Sequence, residues 1–161
     1  MLYAMDKPGA PEANRRNHQC RRQDDMRKQE RESQADTHDQ CIVMVDMNGL
    51  KQLNDTYGHE KGNEAIRRTC SLICDVFKHS PVYRFGGDEF VVVIRERDYD
   101  DIEELVKQFN TSAEATEGQP WEKVNAAIGY ALYAGEDTVE DVFRRADHIM
   151  YEQKKEMKQR K

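Results

Sequence analysis

The chain has 161 residues, with 25 Lys and Arg against 31 Asp and Glu and a formal net charge of −6. That length suits one domain around one core, and the acidic balance argues against a general nucleic-acid binder. No apolar run approaches a membrane span and the first residues lack a secretory pattern, so a cytoplasmic location is the default expectation.

Residues 6–40 contain no Ile, Val, Leu, Phe, Tyr or Trp. With no apolar stripe to dock it and no a/d seam, residues 1–40 read as a charged lead-in, helical or partly disordered, rather than a dimerisation helix. Residues 41–161 read as the folded domain. "CIVMV" (41–45) is a continuous apolar run, as in a strand buried on both faces. "GLKQLNDTYGH" (49–59) predicts a short helix and a turn. From 63 to 78, Ile66, Thr69, Cys70, Ile73, Val76 and Phe77 recur at helical spacing, with Asn63 as a cap. "VYRF" and "EFVVVI" flank Gly86-Gly87, a hairpin signal. Ile102, Leu105, Val106 and Phe109 mark an amphipathic helix over 100–110, and residues 111–123 read as a loop with Gly118 and Pro120. "VNAAIGYALY" (124–133) predicts a strand. A last helix spans 138–158, through Val139, Val142, Phe143, Ala146, Ile149 and Met150. This order gives an α/β sandwich, one sheet covered by helices. Cys20, Cys41, Cys70 and Cys74 form no Cys-x-x-Cys pair, and Cys70 and Cys74 read as buried thiols on a helix face.

Acids stand where strands end. Asp46 closes the 41–45 run, and Asp88 and Glu89 open the "FVVVI" run. A buried, unpaired carboxylate costs several kcal/mol, so such acids are either exposed or matched to a cation. Carboxylates from two strand ends can meet at one sheet edge, and oxygen ligands of that kind suit Mg²⁺ together with substrate phosphates. "DMNGLK" is not a calcium loop, because Leu50 and Lys51 stand where that loop needs a ligand and a glycine. Taken singly, each acid reads as a solvated residue beside a turn.

Three blocks occur in order: "DMNGLKQLNDTYGHEKGN" (46–63), "RFGGDEF" (84–90) and "ADHIMYEQKK" (146–155). Together they resemble the signature blocks of the GGDEF family, the diguanylate cyclases. The resemblance covers roughly residues 41–158. It implies the mostly antiparallel α+β sheet of nucleotide cyclases and polymerase palms. It also implies condensation of two GTP into cyclic di-GMP with release of pyrophosphate, by two-metal phosphoryl transfer with Mg²⁺ or Mn²⁺.

By this resemblance Asp46, Asp88 and Glu89 are the catalytic acids. Asp46, Asp88, Glu89 and the Met47 carbonyl would hold metal, with Glu89 on a second ion or activating the attacking 3′-hydroxyl. Asn54 matches the residue that reads the guanine edge. The backbone of Gly49 and Leu50 would cradle phosphates at a helix start, with Lys51 beside them. Lys154 and Lys158 match basic positions that contact the triphosphate, although each is also an ordinary favourable charge at a helix C-terminus. Because one subunit binds one GTP, the resemblance implies a homodimer, weak or transient here, and a domain governed by an upstream sensor in a longer, possibly membrane-anchored, protein.

Three positions depart from the family. Asn63 stands where the family usually has Asp. An amide offers guanine one acceptor and one donor, and can also pair with adenine, so the choice lies between relaxed purine selectivity and a mere helix cap beside a guanine-reading Asn54. The stretch before the hairpin, "FKHSPVY" (77–83), lacks the Arg-x-x-Asp of an inhibitory product site, which predicts no feedback through it. The family's usual opening element is reduced to "DKPGAPEANRR" (6–16). The rival readings are a non-catalytic GTP-binding regulatory module and a cyclase with mixed purine products. A plain scaffold explains the strand runs but not the ordered blocks.

Overall fold

The computed structural model describes residues 3–4, 41–95, 97–135 and 137–160. Apart from Tyr3 and Ala4, the charged lead-in, Cys20 and the 6–16 element lie outside the described residues. Ten elements follow in order: β1 (Tyr3–Ala4), β2 (Cys41–Met47), α1 (Leu50–Tyr57), α2 (His59–Val76), β3 (Val82–Arg84), β4 (Glu89–Ile94), α3 (Arg97–Asp100), α4 (Ile102–Glu114), β5 (Ala126–Leu132) and α5 (Val139–Gln159). The strands form one antiparallel sheet in the order β1-β3-β4-β2-β5. Its fold is the expected α+β arrangement, a sheet clad by helices.

β2 sits between β4 and β5, and all seven of its residues are buried. That is why its sequence is continuously apolar up to Asp46 although the sheet is antiparallel. Successive side chains point to opposite faces. Cys41, Val43, Val45 and Met47 join Phe90, Val92, Ile128 and the buried sides of α2 and α4. Ile42 and Met44 join Val91, Ala127, Ala131 and the Val142–Ala146–Met150 line of α5. Asp46 continues the second face, so its carboxylate lies on the α5 side of the sheet.

Several boundaries differ from expectation. α2 begins at His59, four residues before Asn63, and its N-cap is Gly58 at φ 84°. Gly58 ends α1 by donating its N–H to the Asn54 carbonyl at 2.9 Å, and its positive φ turns the chain straight into the next helix. Asn63 is therefore an exposed residue inside the helix and caps nothing. α4 runs on to Glu114 because Ala113 is still buried there. Thr116 closes it, its hydroxyl donating to the Ala113 carbonyl and accepting from Val124 N–H. Ile149, expected on the buried stripe of α5, is 47% exposed, since the helix buries the i, i+4 line through residues 142, 146 and 150. α5 begins with a capping box in which Thr138 and Asp141 satisfy each other's backbone N–H groups. Cys70 and Cys74 are buried thiols, as their helical spacing predicts.

Among the described residues no helix is long and apolar enough to cross a membrane.

Candidate active site

The β2–β4 register sets Asp46 directly opposite Glu89. Beyond that pair the Met47 N–H donates to the Asp88 carbonyl at 2.9 Å. In an antiparallel ladder that bond makes 46/89 a non-hydrogen-bonded pair, the kind whose side chains stand closest. Like charges directly opposite destabilise a sheet, so a merely structural pair would not place two acids here. Asp46 is only 7% exposed and Glu89 is half-buried. Burial pushes the Asp46 carboxyl above its ordinary value. The Lys154 ammonium pulls it back, and the charges of Asp88 and Asp147 push it up. Burial likewise raises Glu89, and Asp46, Asp88 and Asp147 raise it further. The acids thus form a negative cluster in want of positive charge.

Lys154 supplies some of that charge. It reaches from α5, with Nζ 2.6 Å from Asp46 Oδ1, and both side chains are largely covered. Asp147 lies two helical turns earlier on α5, at the i, i+7 spacing that keeps one helix face. Isolated residue reading missed Asp147, although it is the second letter of the 146–155 block. Sequence reading also missed Asn48. Its N–H donates to the Asn125 carbonyl at 2.7 Å, and its amide donates to Asn125 Oδ1 at 3.1 Å, tying the loop after Asp46 to the entry of β5.

The turn between β3 and β4 is held by its own groups. Arg84 donates to the Gly87 carbonyl, and Phe85 N–H donates to the Glu89 carbonyl at 2.8 Å. The Phe85 ring packs on Phe143 of α5. Neither Gly86 nor Gly87 uses a positive φ. Gly86 instead leaves room for the Glu89 carboxylate, which would stand 3.0 Å from a Cβ there, and Gly87 faces open space.

The remaining expected residues fall into two groups. Gly49, at φ 74°, opens α1 with no capping side chain and no acid in the first turn, so that turn keeps its free N–H donors three residues after Asp46 in the chain. Leu50 is buried in the core under this turn, and Lys51 is exposed on α1. Farther off, the half-buried Asn54 packs against Gly62 where α1 meets α2, one residue from the exposed Asn63. Lys158 is exposed one turn beyond Lys154. The structure therefore gathers Asp46, Met47, Asp88, Glu89 and Lys154, and leaves Asn54, packed on Gly62, and the exposed Asn63 outside that group.

Among the described residues no three His, Cys, Asp or Glu side chains form a ready-made metal cage. The donor set still fits Mg²⁺, which keeps several water or phosphate ligands and needs only one or two carboxylates. Asp46, Asp88 and Glu89 would supply them, with the Met47 carbonyl alongside. Lys154 then competes with the metal for Asp46. Lys154→Met should cost the metal-free protein about 2 kcal/mol at pH 7, since it strands a covered carboxylate, and Mg²⁺ should restore much of that. Denaturant unfolding with and without Mg²⁺ measures it; an equal loss in both conditions would contradict the competition.

A family model described as "Diguanylate cyclase, GGDEF domain" matches residues 13–160. The chain belongs to the GGDEF family. This GGDEF domain is 28% identical over 129 residues to the diguanylate cyclase DgcM of Escherichia coli, covering 78% of the chain but 31% of that protein. It is 32% identical over 120 residues to the bifunctional diguanylate cyclase/cyclic di-GMP phosphodiesterase MucR of Pseudomonas aeruginosa, covering 71% of the chain and 17% of that protein. The chain thus spans a third or less of these relatives. Among solved structures it is similar to the active GGEEF domain of a diguanylate cyclase from Vibrio cholerae, at TM-score 0.66 and 25% identity, covering 78% of this chain and 83% of that one. It also shares the fold of the GGDEF domain of DgcB from Caulobacter crescentus, solved in complex with c-di-GMP, at TM-score 0.69 and 20% identity, covering 81% and 82%. The family match begins at residue 13, inside the charged lead-in.

Proposed function

We propose that this GGDEF domain is a diguanylate cyclase that condenses two GTP into cyclic di-GMP. The observation that carries the reading is the Asp46–Glu89 pair. It is an electrostatically costly arrangement at the adjoining ends of two interior strands, followed three residues on by an uncapped helix start and paired with a lysine. The free N–H groups after Gly49 would bind phosphate oxygens, with Lys51 near them. Lys154, released from Asp46, and Lys158 one turn on would neutralise the triphosphate. Asp46, Asp88 and Glu89 would hold divalent metal, which when bound stabilises charge on the attacking and leaving oxygens. Glu89 stands at the strand mouth, where a carboxylate can take the proton of a 3′-hydroxyl. That oxygen bonds to the α-phosphorus of the other GTP as the bond to pyrophosphate breaks. Each chain holds one GTP, so two chains facing across a two-fold axis complete the reaction. Residues 41–161 are the catalytic unit in this reading. The chain spans only part of its relatives, which supports regulation by an upstream domain in a longer protein, and a GTP substrate supports a cytoplasmic setting.

Relaxed purine choice is a second reading, favoured by one observation. Asn63 does not cap α2, and its amide is exposed on the first turns of that helix, one residue after the Gly62 on which Asn54 packs. A product assay tests both readings. The protein, concentrated to drive pairing, is incubated with Mg²⁺ and equal GTP and ATP, and the products are weighed by mass spectrometry. Cyclic di-GMP alone is the expected result. A mixed cyclic product would assign Asn63 to base choice. GTP binding without any cyclic product would replace the cyclase by a GTP-binding regulatory module.

A further inference from the structure

Gly62 is the fourth residue of α2 and is buried. Glycine is a poor choice inside a helix, because it loses the most backbone freedom on ordering. Its φ is not positive, so conformation does not demand it. Space does. A Cβ at position 62 would overlap Asn54 Oδ1 and stand 2.8 Å from Asn54 Cγ and 3.4 Å from Asn54 Nδ2. These three nearest atoms all belong to one amide, the one proposed to read the base. The backbone holds the two residues in fixed relation. Asn54 C=O accepts from Gly58 N–H at 2.9 Å, and Gly58 C=O accepts from Gly62 N–H at 3.2 Å.

We infer that Gly62 is a specificity-determining positioning residue: its missing side chain is the seat that holds the Asn54 amide in its base-reading orientation. This rests on the reading of Asn54 as the base contact and adds a residue that acts only through it. The alternative, that Gly62 serves helix packing, makes the opposite prediction. No backbone atom is among the three nearest atoms that a Cβ would meet. Only the end of a rotatable side chain must move, so Gly62→Ala should keep the fold and lose the orientation.

The experiment is a calorimetric titration with a GTP analogue that cannot be cleaved between its α- and β-phosphates, and with the matching ATP analogue, both with Mg²⁺. The variants are Gly62→Ala, Asn54→Ala and the double variant, each also melted thermally. The expected result is that Gly62→Ala melts at or above the wild-type temperature, because alanine is the better helix former. It should bind the GTP analogue about tenfold or more weakly and narrow the gap between GTP and ATP analogues. The double variant should bind no more weakly than Asn54→Ala alone, since the seat then has nothing to hold. If Gly62→Ala binds within twofold of wild type while Asn54→Ala has lost affinity, the inference is overturned and the base reading stands. If Asn54→Ala itself binds like wild type, the base reading falls and takes the inference with it. If Gly62→Ala does not fold, Asn54→Ala/Gly62→Ala decides: a folded double variant assigns the conflict to the amide, and an unfolded one assigns Gly62 to helix packing.

Discussion

Glu89→Gln is expected to lower the turnover of GTP to cyclic product by on the order of 10³-fold while making the metal-free protein more stable. The loss follows from removing one of the acids that would hold metal and accept a proton, a contribution of several kcal/mol to the barrier. The gain follows from removing a carboxylate whose charge is disfavoured first by burial and then by the facing Asp46. Relief of an opposed like-charge pair is worth up to about 1 kcal/mol, or a rise of about 2–4 °C in melting temperature for a chain of this size. The pH dependence fixes the sign. Asp46 and Glu89 both titrate above their ordinary values, so the folded state binds protons that the unfolded state has already released. The contribution of this pair to metal-free stability should therefore fall as pH rises from about 4, the ordinary carboxylate value, through the raised folded values, and the difference between wild type and Glu89→Gln isolates the Glu89 part. Below that window both carboxyls are protonated in either state, and wild type and Glu89→Gln should melt alike. Calorimetric melts from pH 3.5 to 7.5 in chelator check this. A variant less stable than wild type at pH 7 would show that Glu89 is a structural acid.

Gly129→Ala should produce the largest loss of stability, about 3 kcal/mol or more. Gly129 lies on β5 opposite Met44, and α5 crosses directly over it. A Cβ there would overlap the Met150 backbone nitrogen and stand 2.5 Å from the Ala146 carbonyl oxygen and 2.8 Å from Met150 Cα. Backbone cannot rotate aside as the Asn54 amide can, so α5 must lift. Lys154 rides on the same helix one turn after Met150 and would leave Asp46. The expected readings are a fall in melting temperature of about 6–12 °C and weaker nucleotide binding. A change within about 0.5 kcal/mol would show that α5 does not bear on Gly129 at backbone contact.

Much of this was legible in the residues. β2, β4, β5 and the helices show in their apolar periods, and Gly58 shows as a turn. The ordered blocks point to the family, because fixed residues at fixed separations are a local property. What resists reading is whatever depends on register or distance. That Asp46 faces Glu89, rather than a neighbour on the other side of the sheet, follows from a one-residue choice of pairing. That Lys154 meets Asp46 joins positions 108 apart. Asn63 looked like a helix cap because capping amides and mid-helix amides are alike in sequence, and only the positive φ of Gly58 decides where α2 starts. Gly62 and Gly129 look alike in sequence as well. One leaves room for a side chain, the other for a backbone.

In the proposed reaction Asp46 and Glu89 are held together against their charge so that a cation can join them. The most direct test follows the melting temperatures of wild type and Glu89→Gln at pH 7 as Mn²⁺ is raised from zero, without nucleotide. The wild type should start lower, rise with the metal and overtake the variant, whose melting temperature should stay nearly flat. Parallel curves for the two proteins, or no rise in the wild type at millimolar Mn²⁺, would show that the facing acids do not form a cation site.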